Sequence, residues 1–199
     1  MAKALEFYFD YISPYSHIAN AAVKQLRERT GATVEIRPMF LGAIMQGTGN
    51  RPPATVPAKG AYMLKDLDRC AARYGLKVRM NPHFPMVNTR GLLRATCGLA
   101  ANPAEQQRFM DACFRHMWET PDPLNPGDDA SVEAMCKAEG FDFAEIQRLA
   151  EDEASKAAMK ANTDSAMARG AFGAPTFFVG DEMFFGHDRL DYAVEAMNA

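Results

Sequence analysis

The sequence predicts an α/β domain interrupted by an all-helical insertion. Three observations predict it: a strand–helix–strand pattern near the amino-terminal end, a middle section where helical patterns follow one another without a strand, and an aromatic hairpin followed by a helix near the other end. On this reading residues 1–44 make the first part of the α/β domain, 45–152 the insertion and 153–199 the second part.

Each element has a local reason. Leu5–Phe9 is short, aromatic and strand-like, and Asp10-Tyr-Ile leads into Ser13-Pro14, a good N-cap followed by the residue best suited to the first helical position. A helix is expected from there to about Thr30, with Ile18, Ala22 and Leu26 on one face and Gly31 as its stop. Thr33–Arg37 then alternates as a second strand ended by Pro38, and a strand–helix–strand crossover makes the two strands parallel. Residues 42–57, with Gly47, Gly49, Pro52 and Pro53, are expected to be loop. Helical patterns follow over 58–74, 87–101, 103–119, 131–139, 143–149 and 153–169, most ending at Gly, Pro or Asn. Pro175–Val179 and Met183–Phe185, joined by Gly180-Asp181, read as a hairpin, and Asp188 is expected to cap a last helix with Leu190, Val194 and Met197 inward.

Composition limits the function classes. The 199 residues are 48% hydrophobic and 24% charged, the balance of a globular chain able to bury a sizeable core. A formal charge of −3 gives no field that would collect a polyanion, so nucleic acid is a poor partner and the expected ligand is small. No stretch approaches the ~20 apolar residues a bilayer requires, and the amino-terminal stretch lacks the pattern of a secretory leader, so the expected location is cytoplasmic and off the membrane. Cys70, Cys97, Cys113 and Cys136 match no zinc or dithiol spacing and read as reduced, mostly buried small hydrophobes; Cys113-x-x-His116 has no further metal partners, and no metal is expected. Lys65, Arg69, Arg73 and Lys77 form a basic row read as a solvated face, and Met39, Met45 and Met63 flank the region of interest.

Two segments carry chemistry. Ser13-Pro14-Tyr15-Ser16 stands where the first strand hands over to the first helix, and a helix N-terminus offers unpaired N–H groups and about half a positive charge to an anion such as a thiolate. Gly173-Ala174-Pro175-Thr176 precedes an aromatic strand, where an X-Pro bond is a candidate cis peptide that would leave the Ala174 backbone free for an extended, peptide-like ligand.

These segments, with Gly49-Asn-Arg-Pro-Pro53, Lys59-Gly-Ala-Tyr62 and Met183-Phe-Phe-Gly-His-Asp-Arg189, resemble the 2-hydroxychromene-2-carboxylate isomerases and the kappa-class glutathione transferases over nearly the whole chain. The resemblance implies a thioredoxin-like domain with a helical insertion, the DsbA-like arrangement. Ser13 and Ser16 stand where redox relatives carry the two cysteines of Cys-x-x-Cys, so dithiol–disulfide exchange is excluded there. It also implies glutathione as cofactor, its sulfur bonded by Ser13 and its cysteinyl backbone by Ala174 beside Pro175. His187 and Asp188 would hold the γ-glutamyl end, and Asn50 and Lys59 the glycyl carboxylate. Position 187 is often a small hydroxyl residue in the transferases, and here it is His. Tyr15, Ser16, Asn88 and Arg94 are expected at the substrate pocket.

The function implied is a glutathione-dependent cis–trans isomerase converting 2-hydroxychromene-2-carboxylate to trans-o-hydroxybenzylidenepyruvate, or a related step of aromatic-compound breakdown. The alternatives are a kappa-class transferase conjugating electrophiles and a glutathione-binding or redox-partner module without turnover. The expected partner is a small aromatic or electrophilic substrate, and a homodimer is an open option.

Overall fold

The computed structural model describes residues 3–199; Met1 and Ala2, part of the amino-terminal stretch read above for a leader, lie outside the described residues. Strand β1 (Leu5–Phe9) runs into helix α1 (Pro14–Thr30) and strand β2 (Val34–Pro38), and the two strands pair in parallel from Leu5 with Val34 to Phe9 with Pro38. Local chemistry sets both ends of α1. The Ser13 hydroxyl accepts from the Ser16 N–H at 3.2 Å, Pro14 begins the helix, and Gly31 closes it in the left-handed region at φ +68° with its N–H on the Arg27 carbonyl.

Strand β3 (Thr176–Val179) returns antiparallel on the other side of β1, and β4 (Glu182–Phe185) hairpins from it, giving the sheet order β2-β1-β3-β4. With β1 central, Leu5, Phe7 and Phe9 are fully buried, and so is β3 throughout. Phe7 stacks on Phe177 at 5.1 Å between centroids, which accounts for the aromatic run in both strands.

Between β2 and β3 lie α2 (Leu41–Thr48), α3 (Pro57–Ala72), α4 (Arg90–Gly98), α5 (Pro103–Trp118), α6 (Asp129–Glu139), α7 (Phe143–Glu151) and α8 (Glu153–Ala168). Asn102, Asp128, Asp142 and Asp152 cap α5 to α8 through their side chains. One hydrophobic core joins the strands to the helices: Phe9 packs on Phe114 of α5, and the Trp118 indole donates to the Tyr11 carbonyl at 2.9 Å. The helical section is therefore packed directly onto the sheet end that carries Ser13. Among the described residues no helix is long and apolar enough to cross a membrane.

Three expectations are corrected. The segment read as loop holds α2; Gly42 and Gly47 hide it, yet Leu41, Ile44 and Met45 share one face and Gly49 ends it at φ +72°. Helix α4 starts at Arg90, three residues later than the apolar pattern at Val87 suggests. Asp188 does not cap the last helix: a single 3-10 turn over His187–Arg189 precedes α9 (Leu190–Asn198), and its carboxylate turns to Arg189 at 2.7 Å.

Candidate active site

The β1–α1 turn, the segment before β3 and the turn before α9 converge on one cleft of about 510 Å³, a size suited to a small ligand. Ser13 is its best-buried polar residue. The hydroxyl caps α1 and donates to the Ala174 carbonyl at 3.0 Å, so the start of α1 and the segment before β3 meet through it. The Ala174–Pro175 peptide is cis, as is Phe84–Pro85, and both line the cleft. One expectation is thereby corrected: the Ala174 carbonyl is not free, because Ser13 uses it.

Beside Ser13, Tyr15 stacks on His187 at 5.4 Å between centroids and donates its phenol to Asp66 of α3 at 2.9 Å. Tyr62 donates to the other oxygen of the same carboxylate at 3.1 Å. Burial, followed by the bond to Asp66, raises the Tyr15 phenol far above its ordinary range, so it stays protonated. Burial also lowers the His187 imidazole below its usual value, against the pull of Asp188 and Asp66, which favours the neutral ring.

Asp10 is the support beneath the cleft. Fully buried, it accepts from the Ile12 N–H at 3.1 Å, the Leu41 N–H at 2.8 Å and the Thr89 hydroxyl at 2.7 Å, tying the β1–α1 turn to the start of α2 and to the residue before α4. Burial raises its pKa while these bonds oppose the rise.

Of the residues expected to bind or catalyse, Ser13, Tyr15, Asn50, Ala174, Pro175, His187 and Asp188 line this cleft, and so do Met45 and Met63. Asn50 is already engaged there, its side-chain amide donating to the Phe172 carbonyl at 2.7 Å and its oxygen accepting from the Arg51 N–H. Lys59 lies outside the cleft and borders an adjoining depression that shares Tyr15, Pro53 and Met63 with it. Ser16, Asn88 and Arg94 do not line the cleft. Ser16 is fully buried on α1 with its hydroxyl unpartnered. Asn88 is exposed beside the start of α4, its side chain accepting from the Arg90 N–H, and Arg94 turns toward Glu151 of α7 at 3.9 Å.

Sequence reasoning missed Asp10, Asp66 and the apolar walls of Leu41, Phe84 and Phe185. Tyr62 and Asp66, one helical turn apart, carried the only local signal, since a side-chain pair at that spacing shares a helix face. The four cysteines are free, and burial raises every thiol, Cys97 to about 12 and Cys136 to about 11. None lines the cleft.

A thioredoxin-type sheet, a helix start at one end of it and a cis-proline segment facing that start define a known class. Residues 4–198 match the family model of the DsbA-like thioredoxin domain, and the chain belongs to that family. Its relatives narrow the class. The chain is 29% identical over 194 residues to a 2-hydroxychromene-2-carboxylate isomerase of Sphingobium xenophagum, covering 96% of each protein. It is 32% identical over 198 residues to glutathione S-transferase kappa 1 of Caenorhabditis elegans, covering 94% of this chain and 87% of that one. A solved 2-hydroxychromene-2-carboxylate isomerase superposes with a TM-score of 0.85 at 25% identity, over 98% of this chain and 94% of the other. These relatives are enzymes, and so is this chain.

Proposed function

We propose that this chain is a glutathione-dependent enzyme acting on a small aromatic or conjugated electrophile. Bound glutathione would supply the thiol that adds to the electrophilic carbon and, in an isomerisation, departs again. The observation that carries this reading is the Ser13 hydroxyl, set at the start of α1 inside the cleft, within 3.0 Å of the Ala174 carbonyl and with no cysteine beside it. A hydroxyl there can turn from that carbonyl to a sulfur, and the α1 N-terminus adds its partial positive charge, so both favour thiolate over thiol.

The remaining groups fit a charged tripeptide. Ala174, Pro175, His187, Asp188 and Asn50 all line the cleft, and Lys59 in the adjoining depression is the cation available to a glycyl carboxylate. Asp188 shares its charge with Arg189, an exposed pair worth little, so it can still meet an ammonium group.

Likeness to the isomerases over almost the full length supports cis–trans isomerisation of 2-hydroxychromene-2-carboxylate or a related intermediate. A specific observation favours conjugation as a second reading: the lining is largely apolar and holds Asp66 and Asp188 but no lysine or arginine among the described residues. Incubation with 2-hydroxychromene-2-carboxylate and, separately, with 1-chloro-2,4-dinitrobenzene, each with and without glutathione, tests both. Glutathione-dependent turnover of either supports the common chemistry; turnover of neither by folded protein contradicts it.

A further inference from the structure

We propose that the cleft recognises a ligand carboxylate through His187, whose imidazole takes up one proton from solvent as that carboxylate binds beside it. The inference rests on the reading that a glutathione-like peptide lies in the cleft with its γ-glutamyl end at His187. The need for a positive charge comes from the lining, which among the described residues holds Asp66 and Asp188 but neither lysine nor arginine. An anion entering there meets two carboxylates. His187 is the one lining side chain able to become a cation near neutral pH.

The surroundings of the ring suit that change. His187 begins the turn before α9, and its imidazole lies nearly flat on the Tyr15 phenol of α1, with 5.4 Å between centroids and 17° between planes. An aromatic face at that distance attracts a cation. Helix α3 faces the ring with Asp66, which favours its charge, and with Arg73, which opposes it; Asp188 on its own turn favours charge. Both carboxylates are committed elsewhere: Asp66 accepts the phenols of Tyr15 and Tyr62 on separate oxygens, and Asp188 holds Arg189 at 2.7 Å. Burial therefore prevails, and the ring stays neutral down to a pH below its ordinary value of 6.5. A ligand carboxylate in contact with the ring supplies the hydrogen-bonded counter-ion that Asp66 and Asp188 do not, and this raises the ring's pKa. Affinity is then full below the pKa of the free ring and falls as pH rises through that of the bound ring.

The test uses the intact protein. Calorimetry first establishes that glutathione binds, and then counts protons with γ-glutamyl-2-aminobutyryl-glycine, which carries a methyl group where glutathione carries its thiol and so adds no thiol proton. Titrations near about pH 6.5 in two buffers of different ionisation heat give the number. Wild type is expected to take up about 0.3 to 1 proton per ligand and to bind at least about threefold more tightly at about pH 6 than at about pH 7.5. His187→Gln, which keeps a polar side chain that cannot become charged, should bind with no net uptake and little pH dependence. Binding to wild type without uptake, or the same uptake in His187→Gln, overturns the proposal while leaving the peptide reading intact. Proton NMR titration of the four histidines in wild type, with glutathione and without it, asks the same question without the variant or the analogue. The ring in contact with Tyr15 is expected to ionise at a higher pH when glutathione is bound, and an unchanged or lower value overturns the proposal. If glutathione does not bind, the underlying reading falls and this inference with it.

Discussion

The Ser13 hydroxyl donates to the Ala174 carbonyl at 3.0 Å while accepting from the Ser16 N–H at 3.2 Å, so one side chain both starts α1 and fastens it to the segment before β3. Ser13→Ala removes the cap, the link and the proposed donor to sulfur together. The expected outcome is a loss of about 1 kcal/mol in stability and a fall of about 10- to 1,000-fold in kcat/KM. Denaturant melts and steady-state kinetics on the same preparation check both; unchanged turnover would remove Ser13 from the chemistry.

Asp66 accepts two phenols, and Tyr15 is the one stacked on His187 at the cleft wall. Asp66→Ala should release the wall, weakening glutathione binding several-fold and costing about 1 kcal/mol of stability. Tyr62→Phe, whose phenol is exposed, should change little. If the two variants bind glutathione equally well, the wall does not depend on Asp66.

The bond between His17 Nε2 and Glu119 Oε1, 3.0 Å long, joins α1 to the end of α5. That bond, more than any other cause, holds the Glu119 carboxyl below its ordinary value of 4.5. With the folded pKa depressed, the unfolded chain takes up the proton first, so this stabilisation is present above pH 4.5 and is lost as pH falls through the folded value. Glu119→Gln should therefore be less stable than wild type at neutral pH, with the gap closing below pH 4.5. Urea melts across that window check the sign, and a gap that widens on acidification would contradict it.

Burial keeps Cys70, Cys97, Cys113 and Cys136 protonated and none faces the cleft. Single replacements by Ala or Ser should preserve glutathione-dependent turnover, with some loss of stability at Cys113, which is fully buried. Abolished turnover in a folded variant that still binds glutathione would point to a protein thiol as nucleophile.

The parts of the fold legible in the sequence are those where local chemistry and tertiary packing agree. Ser13, Pro14 and Gly31 mark α1 because capping is a short-range event, and the aromatic strands mark themselves by their burial. Helix α2 was not legible because its stability comes from seating Leu41 and Ile44 in the core and from Asp10 at its first N–H, a residue 31 positions away. The same division holds at the site. Ser13, Ala174 and His187 lie beside chain-turning signals, whereas Asp66 matters only because α3 folds back onto Tyr15. For Ser16 and Arg94 a motif gives proximity along the chain but not the direction a side chain takes; α1 turns one inward, and α4 points the other at Glu151.

The start of α1 and Ser13 are proposed to hold a glutathione thiolate. Titrating the ultraviolet thiolate absorbance of glutathione bound to wild type and to Ser13→Ala tests it most directly. Glutathione bound to wild type should ionise at least about one pH unit below free glutathione, and Ser13→Ala should give back most of that shift. Bound glutathione that ionises at the same pH as free glutathione, or a depressed value left unchanged by the substitution, would contradict it.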